Sequence, residues 1–136
     1  MSEEVLSFAR YLALKAMMMP RDTNQHGTIF GGVLLSYIDQ AGAIGAGHAV
    51  AQAGWPRQPI VTVGIKSVEF HQPVFVGDVL SFWTTISRVG RTSLTVDVVV
   101  EAERNGEPQK LTEAEVTYVA VKLEGDQRCP TAIRGD

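Results

Sequence analysis

The sequence predicts an α+β domain in which an antiparallel, curved sheet of about five strands wraps around one long central helix. Three observations carry that expectation. Apolar residues recur at the three- and four-residue spacing of a helix over residues 31–50, the period falls to two beyond residue 60, and the breaks between the two-period runs are short. So few strands can bury so apolar a helix only if the sheet curls around it.

Residues 5–19 mix strand and helix signals and end in Met17-Met18-Met19 before Pro20, whose ring biases Met19 toward extended backbone. An extended segment is expected there. Residues 20–30 hold the Pro, Asp, Asn and Gly of a loop. From about Gly31 to about Val50, Val33, Leu34, Tyr37, Ile38, Ala41 and Ile44 fall at helical spacing, and the opposite face offers so little polarity that burial nearly all round is expected. Gly42, Gly45 and Gly47 each cost this helix up to about 1 kcal/mol relative to Ala, which makes sense if something packs close to its backbone.

Beyond Gly54-Trp55-Pro56 the strands follow. Val61, Val63 and Ile65 alternate with polar residues and glycine; Leu80, Phe82 and Ile86 share a face of 79–88; Leu94, Val96, Val98, Val100 and Ala102 alternate with Thr95, Asp97, Glu101 and Glu103. The breaks at Val76-Gly77-Asp78, Val89-Gly90-Arg91 and Asn105-Gly106 predict antiparallel neighbours, the last being a strong hairpin signal. A last strand over about 111–123 turns apolar on both faces at 116–121, as if that end met another surface. The polar tail, 124–136, with Pro130, is expected to be loosely held, outside a core of about 14–123.

The whole chain, 1–136, has the length for a single domain, with 45% hydrophobic and 20% charged residues and a formal net charge of −3. Its twelve Lys and Arg are scattered, with no basic stripe for nucleic acid. The one cysteine, Cys129, permits no intramolecular disulfide and no multi-cysteine zinc site, which suits a reducing, cytoplasmic setting. Glu3 and Glu4 followed by Arg10 and Lys15 are the reverse of a signal peptide's order, and the quiet stretch 40–54 is well short of the ~20 apolar residues of a membrane span.

Between Thr23 and Pro56 the only charged residue, histidines counted neutral, is Asp39. Its helical neighbours, Leu35, Ser36, Gly42 and Ala43, offer no ion pair. Burying an unpaired carboxylate is costly, and desolvation makes such a group a stronger base, so Asp39 is a candidate general base. A structural aspartate bonded to Ser36 is the competing reading. Gly31-Gly32 opens the helix, where the first N–H groups have no intrahelical acceptor, a possible oxyanion hole for a carbonyl turning tetrahedral or simply a turn into the helix. Eight residues separate Gly31 from Asp39, about 12 Å along the axis. If both serve one carbonyl, the aspartate must come from a second subunit and the site must lie at a dimer interface.

The stretch "MPRDTNQHGTIFGGVLLSYIDQAGAI" resembles the acyl-CoA thioesterases of the hotdog superfamily, particularly the bacterial broad-specificity hydrolases of the YciA kind and the domains of cytosolic mammalian acyl-CoA thioesterases. The likeness continues through "VTVGIKSVEFHQPVFVGDVL", "ISRVGRTSLTVDV" and "EAEVTYVAV". The resemblance implies a hotdog fold and hydrolysis of the acyl-CoA thioester with no metal and no redox cofactor. It makes Asp39 the catalytic carboxylate, as base or nucleophile, sets Asn24 opposite it across the subunit interface, and gives the thioester oxygen to Gly31 and Gly32. It further implies the segment Arg91, Thr92 and Ser93 near the coenzyme A nucleotide, and a dimer or a trimer of dimers; His26 is expected to be structural or substrate-lining, and Phe30 substrate-lining. Arginine suits a phosphate because its planar fork donates two bonds at once. His48 and His71 are expected to be packing or surface histidines, and Trp55 to cover an acyl tunnel or fill the interface. Two alternatives stay open. A hotdog hydratase or dehydratase would need His26 or His71 to face Asp39, and a non-catalytic acyl-CoA-binding module would need no base at all.

Overall fold

The computed structural model describes residues 8–135. The elements run β1 (Tyr11–Met17), α1 (Gly31–Ala53), β2 (Ile60–Phe70), β3 (Val79–Val89), β4 (Ser93–Arg104), β5 (Glu107–Glu124) and β6 (Gln127–Pro130), with one 3-10 turn at Pro20–Asp22. The main sheet has the order β1-β3-β4-β5-β2, every pair antiparallel, and β6 pairs with the end of β5. Helix α1 touches all of β1 to β5. Five strands at about 4.8 Å spacing are wider than a helix of about 10–12 Å, so the sheet must curl to reach it from both edges. Leu34, Ile38, Ala41, Ala46 and Val50 of α1 meet Leu80, Phe82, Leu94, Val96, Val98, Val100 and Val116 in one core.

The extended segment is β1, with residues 5–7 of the expected stretch outside the described residues. The helix runs one turn beyond its expected end and stops where Gly54 adopts φ +75°, a left-handed C-cap. It is not buried all round: Gly32, Ser36, Gln40, Ile44, Gly47 and Ala51 form an exposed flank, which a single copy of the sheet leaves uncovered. The glycines divide accordingly. A Cβ on Gly42 would stand 2.2 Å from the Tyr118 hydroxyl and one on Gly45 2.4 Å from Thr84 Oγ1, so both serve packing on the chain's own sheet, while Gly47 has nothing within 4 Å.

Three strand expectations need correction. The Val76-Gly77-Asp78 break does not join neighbours: β2 and β3 lie near opposite edges, and residues 71–78 cross the end of the sheet between them. Backbone bonds mark the crossing, His71 N to Leu111 O beside β5, Ile29 N to Val74 O midway, and Met18 O accepting from Gly77 N near β1. β2 is not a regular half-buried strand either. It is an edge with register shifts at Val63 and around Ser67, the latter at φ +56°, and Val63 is 58% exposed. The polar tail is not loose. β6 pairs with Val121–Glu124, Thr131 N donates to Ala120 O, and Ile133 is 2% exposed in the core. The tail thus extends the sheet beside the last residues of β5.

Candidate active site

Asp39 sits on the second turn and a half of α1, half-buried, with its side chain toward the start of β2. Thr62 Oγ1 donates to its Oδ1 at 2.8 Å. The Tyr118 hydroxyl lies 2.6 Å from the Asp39 backbone oxygen and 3.3 Å from Oδ1. Thr62 and Tyr118 are register partners across β2 and β5, so the two hydroxyls reach the carboxylate from one face of the sheet. The register shift begins immediately after Thr62, where a bulge re-aims the strand. Ser36 takes no part, its hydroxyl accepting instead from Gln40 Nε2 at 3.4 Å. Neither Thr62 nor Tyr118 was singled out from the sequence, where each looks like one more alternating strand residue; the glycine at position 42 was the available signal that something large approaches beside Asp39.

Asn24 organises its own loop. Its Oδ1 accepts from His26 N at 2.8 Å and Thr28 N at 3.2 Å, and its Nδ2 donates to Thr28 Oγ1 at 3.0 Å, which closes the turn before the helix. His26 is exposed on that turn. Phe30 is the N-cap of α1, with no side-chain capping bond and a ring 59% exposed. The amides of Gly31 and Gly32 are thus the first of the helix, and a Cβ on Gly31 would meet the Phe70 ring at 3.5 Å, an ordinary contact distance. Within one chain the structure does not bring them to Asp39, which stands eight residues along the same axis, about 12 Å away.

Arg91 is exposed on the β3–β4 hairpin, and with Val89, Gly90, Ala132 and Arg134 it lines a cavity of about 300 Å³. The tail builds that site: Ile133 N donates to Arg91 O. Thr92 and Ser93 hold the hairpin through backbone bonds, Thr92 O accepting from Ala120 N and Ser93 O from Gly90 N. A larger, mostly apolar cavity of about 660 Å³ lies between the exposed flank of α1 and the start of β2, lined by Ile44, Gly47, Val50, Trp55, Arg57 and Ile60 among others. Trp55 walls it, with the Arg134 guanidinium 5.2 Å from its ring centroid.

The remaining histidines are engaged elsewhere. His48 stacks on Tyr11 at 3.7 Å, and His71 Nε2 lies 2.6 Å from Glu113 Oε2, a hydrogen bond that is the main cause holding the Glu113 carboxyl below its ordinary value. Glu69 joins that pair with its ligand atom within 4.8 Å, but Lys110 Nζ, 3.3 Å from Glu113, already supplies a cation. No helix among the described residues is long and apolar enough to cross a membrane.

Residues 26–109 match the thioesterase superfamily. The chain belongs to that family. YciA of Salmonella typhimurium, an acyl-CoA thioester hydrolase, is 36% identical over 129 residues, which cover 91% of this chain and 92% of that protein. A Zymomonas mobilis protein described as an uncharacterized acyl-CoA thioester hydrolase is 41% identical over 98 residues; the match spans 61% of its length. Among solved structures, HI0827, a hexameric broad-specificity acyl-coenzyme A thioesterase crystallised as an aspartate-to-alanine mutant, superposes with a TM-score of 0.77 at 34% identity, over 90% of this chain and 86% of that one. An acyl-CoA hydrolase from Staphylococcus aureus, solved with butyryl coenzyme A and coenzyme A, gives 0.76 at 30% identity over 93% of this chain and 72% of that one. It has also been solved with an asparagine, an aspartate or a threonine replaced by alanine. Its fold is the hotdog fold of these thioesterases.

Proposed function

We propose that the protein hydrolyses acyl-CoA thioesters to a carboxylic acid and coenzyme A, at sites built between two subunits, with Asp39 as the catalytic carboxylate. The observation that carries this reading is the seat of Asp39. Thr62 donates to Oδ1, with the Tyr118 hydroxyl 3.3 Å from the same oxygen, and Oδ2 has no protein partner among the described residues, so one oxygen is held and the other is free to act. Asp39 takes the proton of an attacking water, or attacks directly, and the thioester carbonyl becomes tetrahedral. The amides of Gly31 and Gly32 in the partner receive the developing oxyanion, the thiolate leaves, and water supplies the second oxygen of the acid. Asn24, with one amide hydrogen held by Thr28, directs the other toward the same carbonyl or the water. This route draws on a carboxylate, amides and water, with no metal and no redox cofactor.

The second subunit has a place to dock. β2 is an unpaired edge beside the exposed flank of α1, and Phe30, Ile44, Val63 and Phe70 are each more than 40% exposed there and near the helix N-terminus. Pairing two such edges would cover these residues and roof the apolar cavity beside Trp55 for the acyl chain. His26 and Phe30 then line the substrate near the carbonyl, and Arg91, with Thr92 and Ser93 shaping its hairpin, meets the nucleotide phosphates. The hexamers named for HI0827 fit a trimer of such dimers, and the replaced aspartate, asparagine and threonine in the relatives are the residue types of Asp39, Asn24 and Thr62. A reducing cytoplasm suits its single cysteine.

The test is release of free thiol from acyl-CoAs of two to sixteen carbons. Wild type should release coenzyme A from at least one, and Asp39→Asn should lower turnover at least about a hundredfold, the scale of a general base. A folded Asp39→Asn protein with most of its activity returns Asp39 to a structural role. Consumption of a hydroxyacyl-CoA without thiol release would establish the dehydratase chemistry instead.

A further inference from the structure

Tyr118 is the largest fully buried side chain among the described residues, at 1% exposure, and it shares the core with Leu94, its register partner on β4, while its ring lies against position 42 of α1. A buried phenol normally needs one hydrogen-bond partner, which any nearby carbonyl could supply. This one sits on the backbone oxygen of the residue that carries the free carboxylate, 2.6 Å away, with the side-chain Oδ1 at 3.3 Å. The approach is possible only because position 42, one turn along the helix, is glycine: a Cβ there would stand 2.2 Å from the hydroxyl and 3.1 Å from the ring carbons. Burial above all, then the nearby Asp39 charge and the hydrogen bond to it, push the phenol well above its ordinary value, so it stays a donor throughout the working range.

We propose that Tyr118 is a positioning residue for the hydrolysis, fixing both the main chain and the Oδ1 edge of Asp39 so that Oδ2 is presented to the thioester, and that Gly42 is kept small to admit it. The inference rests on the reading of Asp39 as the catalytic carboxylate. Two anchors from one strand pair hold Asp39: Thr62 on Oδ1 limits the rotation of the carboxylate, and Tyr118 on the backbone oxygen fixes the main chain from which it swings. Tyr118 does not touch substrate. Its effect therefore falls on turnover and spares binding.

Tyr118→Phe removes the hydroxyl alone and leaves the ring in the core. Steady-state hydrolysis should show kcat lowered about tenfold, the scale of one hydrogen bond, with KM within about twofold of wild type. Gly42→Ala should give the same fall by displacing the phenol, and combining the two changes should cost no more turnover than the worse single variant, because both remove one contact. A kcat within about twofold of wild type in folded Tyr118→Phe overturns the proposal whatever its thermal stability, and so does a loss confined to KM. Should neither variant fold, ring-fluorinated tyrosine in the otherwise natural chain gives the reading instead: the Tyr118 fluorine resonance should move between wild type and Asp39→Asn, and an unmoved signal overturns the proposal. Asp39→Asn assayed alongside separates the two failures. If it is active, the catalytic reading has failed; if it is inactive while Tyr118→Phe is unaffected, only the positioning role has.

Discussion

Thr62 and Asp39 are joined by a 2.8 Å hydrogen bond that crosses from the edge strand to the central helix, 23 residues apart in the chain. The bond ties the edge strand to the carboxylate, so a subunit pairing with β2 would bear on the orientation of Asp39. Thr62→Val keeps the shape and removes the donor. It should lower kcat by about tenfold or more, while Thr62→Ser, which keeps a hydroxyl, should retain most of the activity. Equal activity in the valine and serine variants would show that the bond does not serve turnover.

For Arg91 the expectation is uniform binding of a coenzyme A phosphate, far from the reacting carbon. Arg91→Ala should raise KM more than it lowers kcat, the mark of an interaction equal in ground and transition states. A short pantetheine thioester lacking the nucleotide should be hydrolysed equally by the variant and wild type. If both substrates suffer alike, Arg91 acts on the hairpin and not on the phosphate.

The convex face of the sheet carries a conflict that pH should reveal. Asp97 and Glu115 are direct cross-strand partners, and burial, then the Glu115 charge and, less, that of Glu113, raise the Asp97 carboxyl against the lowering hydrogen bond from Ser87. A folded-state value above the unfolded one means that ionised Asp97 costs stability. The cost is absent below the unfolded value, near 3.8, grows as pH rises from there to the folded value, and is full above it. Asp97→Asn should therefore raise the thermal midpoint at pH 7 and lose that advantage near pH 3.5. A gain independent of pH would point to packing in place of charge.

The central helix, the turn of its N-terminus and the isolation of Asp39 were legible because each is a local pattern: periodicity, loop residues, and one charge in an apolar run. The neighbours of Asp39 were not. Thr62 and Tyr118 lie 23 and 79 residues from it, and only the strand order, with β2 beside β5 and not beside β3, brings their hydroxyls together. A short break such as Val76-Gly77-Asp78 says where the chain turns but not which strand it turns toward. The tail misled for a related reason. Its composition is polar, yet one residue, Ile133, is buried and two backbone bonds, through Thr131 and Ile133, tie it to β5 and the Arg91 hairpin. Averages over a segment hide such single anchors.

The spacing of Gly31 and Asp39 on one helix makes the last expectation quantitative. About 12 Å along the axis separates the candidate oxyanion donors from the candidate base, so if both serve one carbonyl a complete site needs Asn24 and Gly31 of one subunit and Asp39 of another. Asn24→Ala and Asp39→Asn proteins should each be nearly inactive alone. Mixed under conditions of subunit exchange, they form a heterodimer with one site holding both intact residues and one site holding neither, as a two-fold interface requires. Random pairing makes about half of the dimers mixed and restores one site in two within them, so activity should recover to about a quarter of wild type. Mass spectrometry of differently labelled subunits would verify the exchange. Verified exchange without recovery, or an active monomer at high dilution, would mean that one chain holds a whole site, and the helix spacing would then have to be bridged by a movement of the loop that carries Asn24.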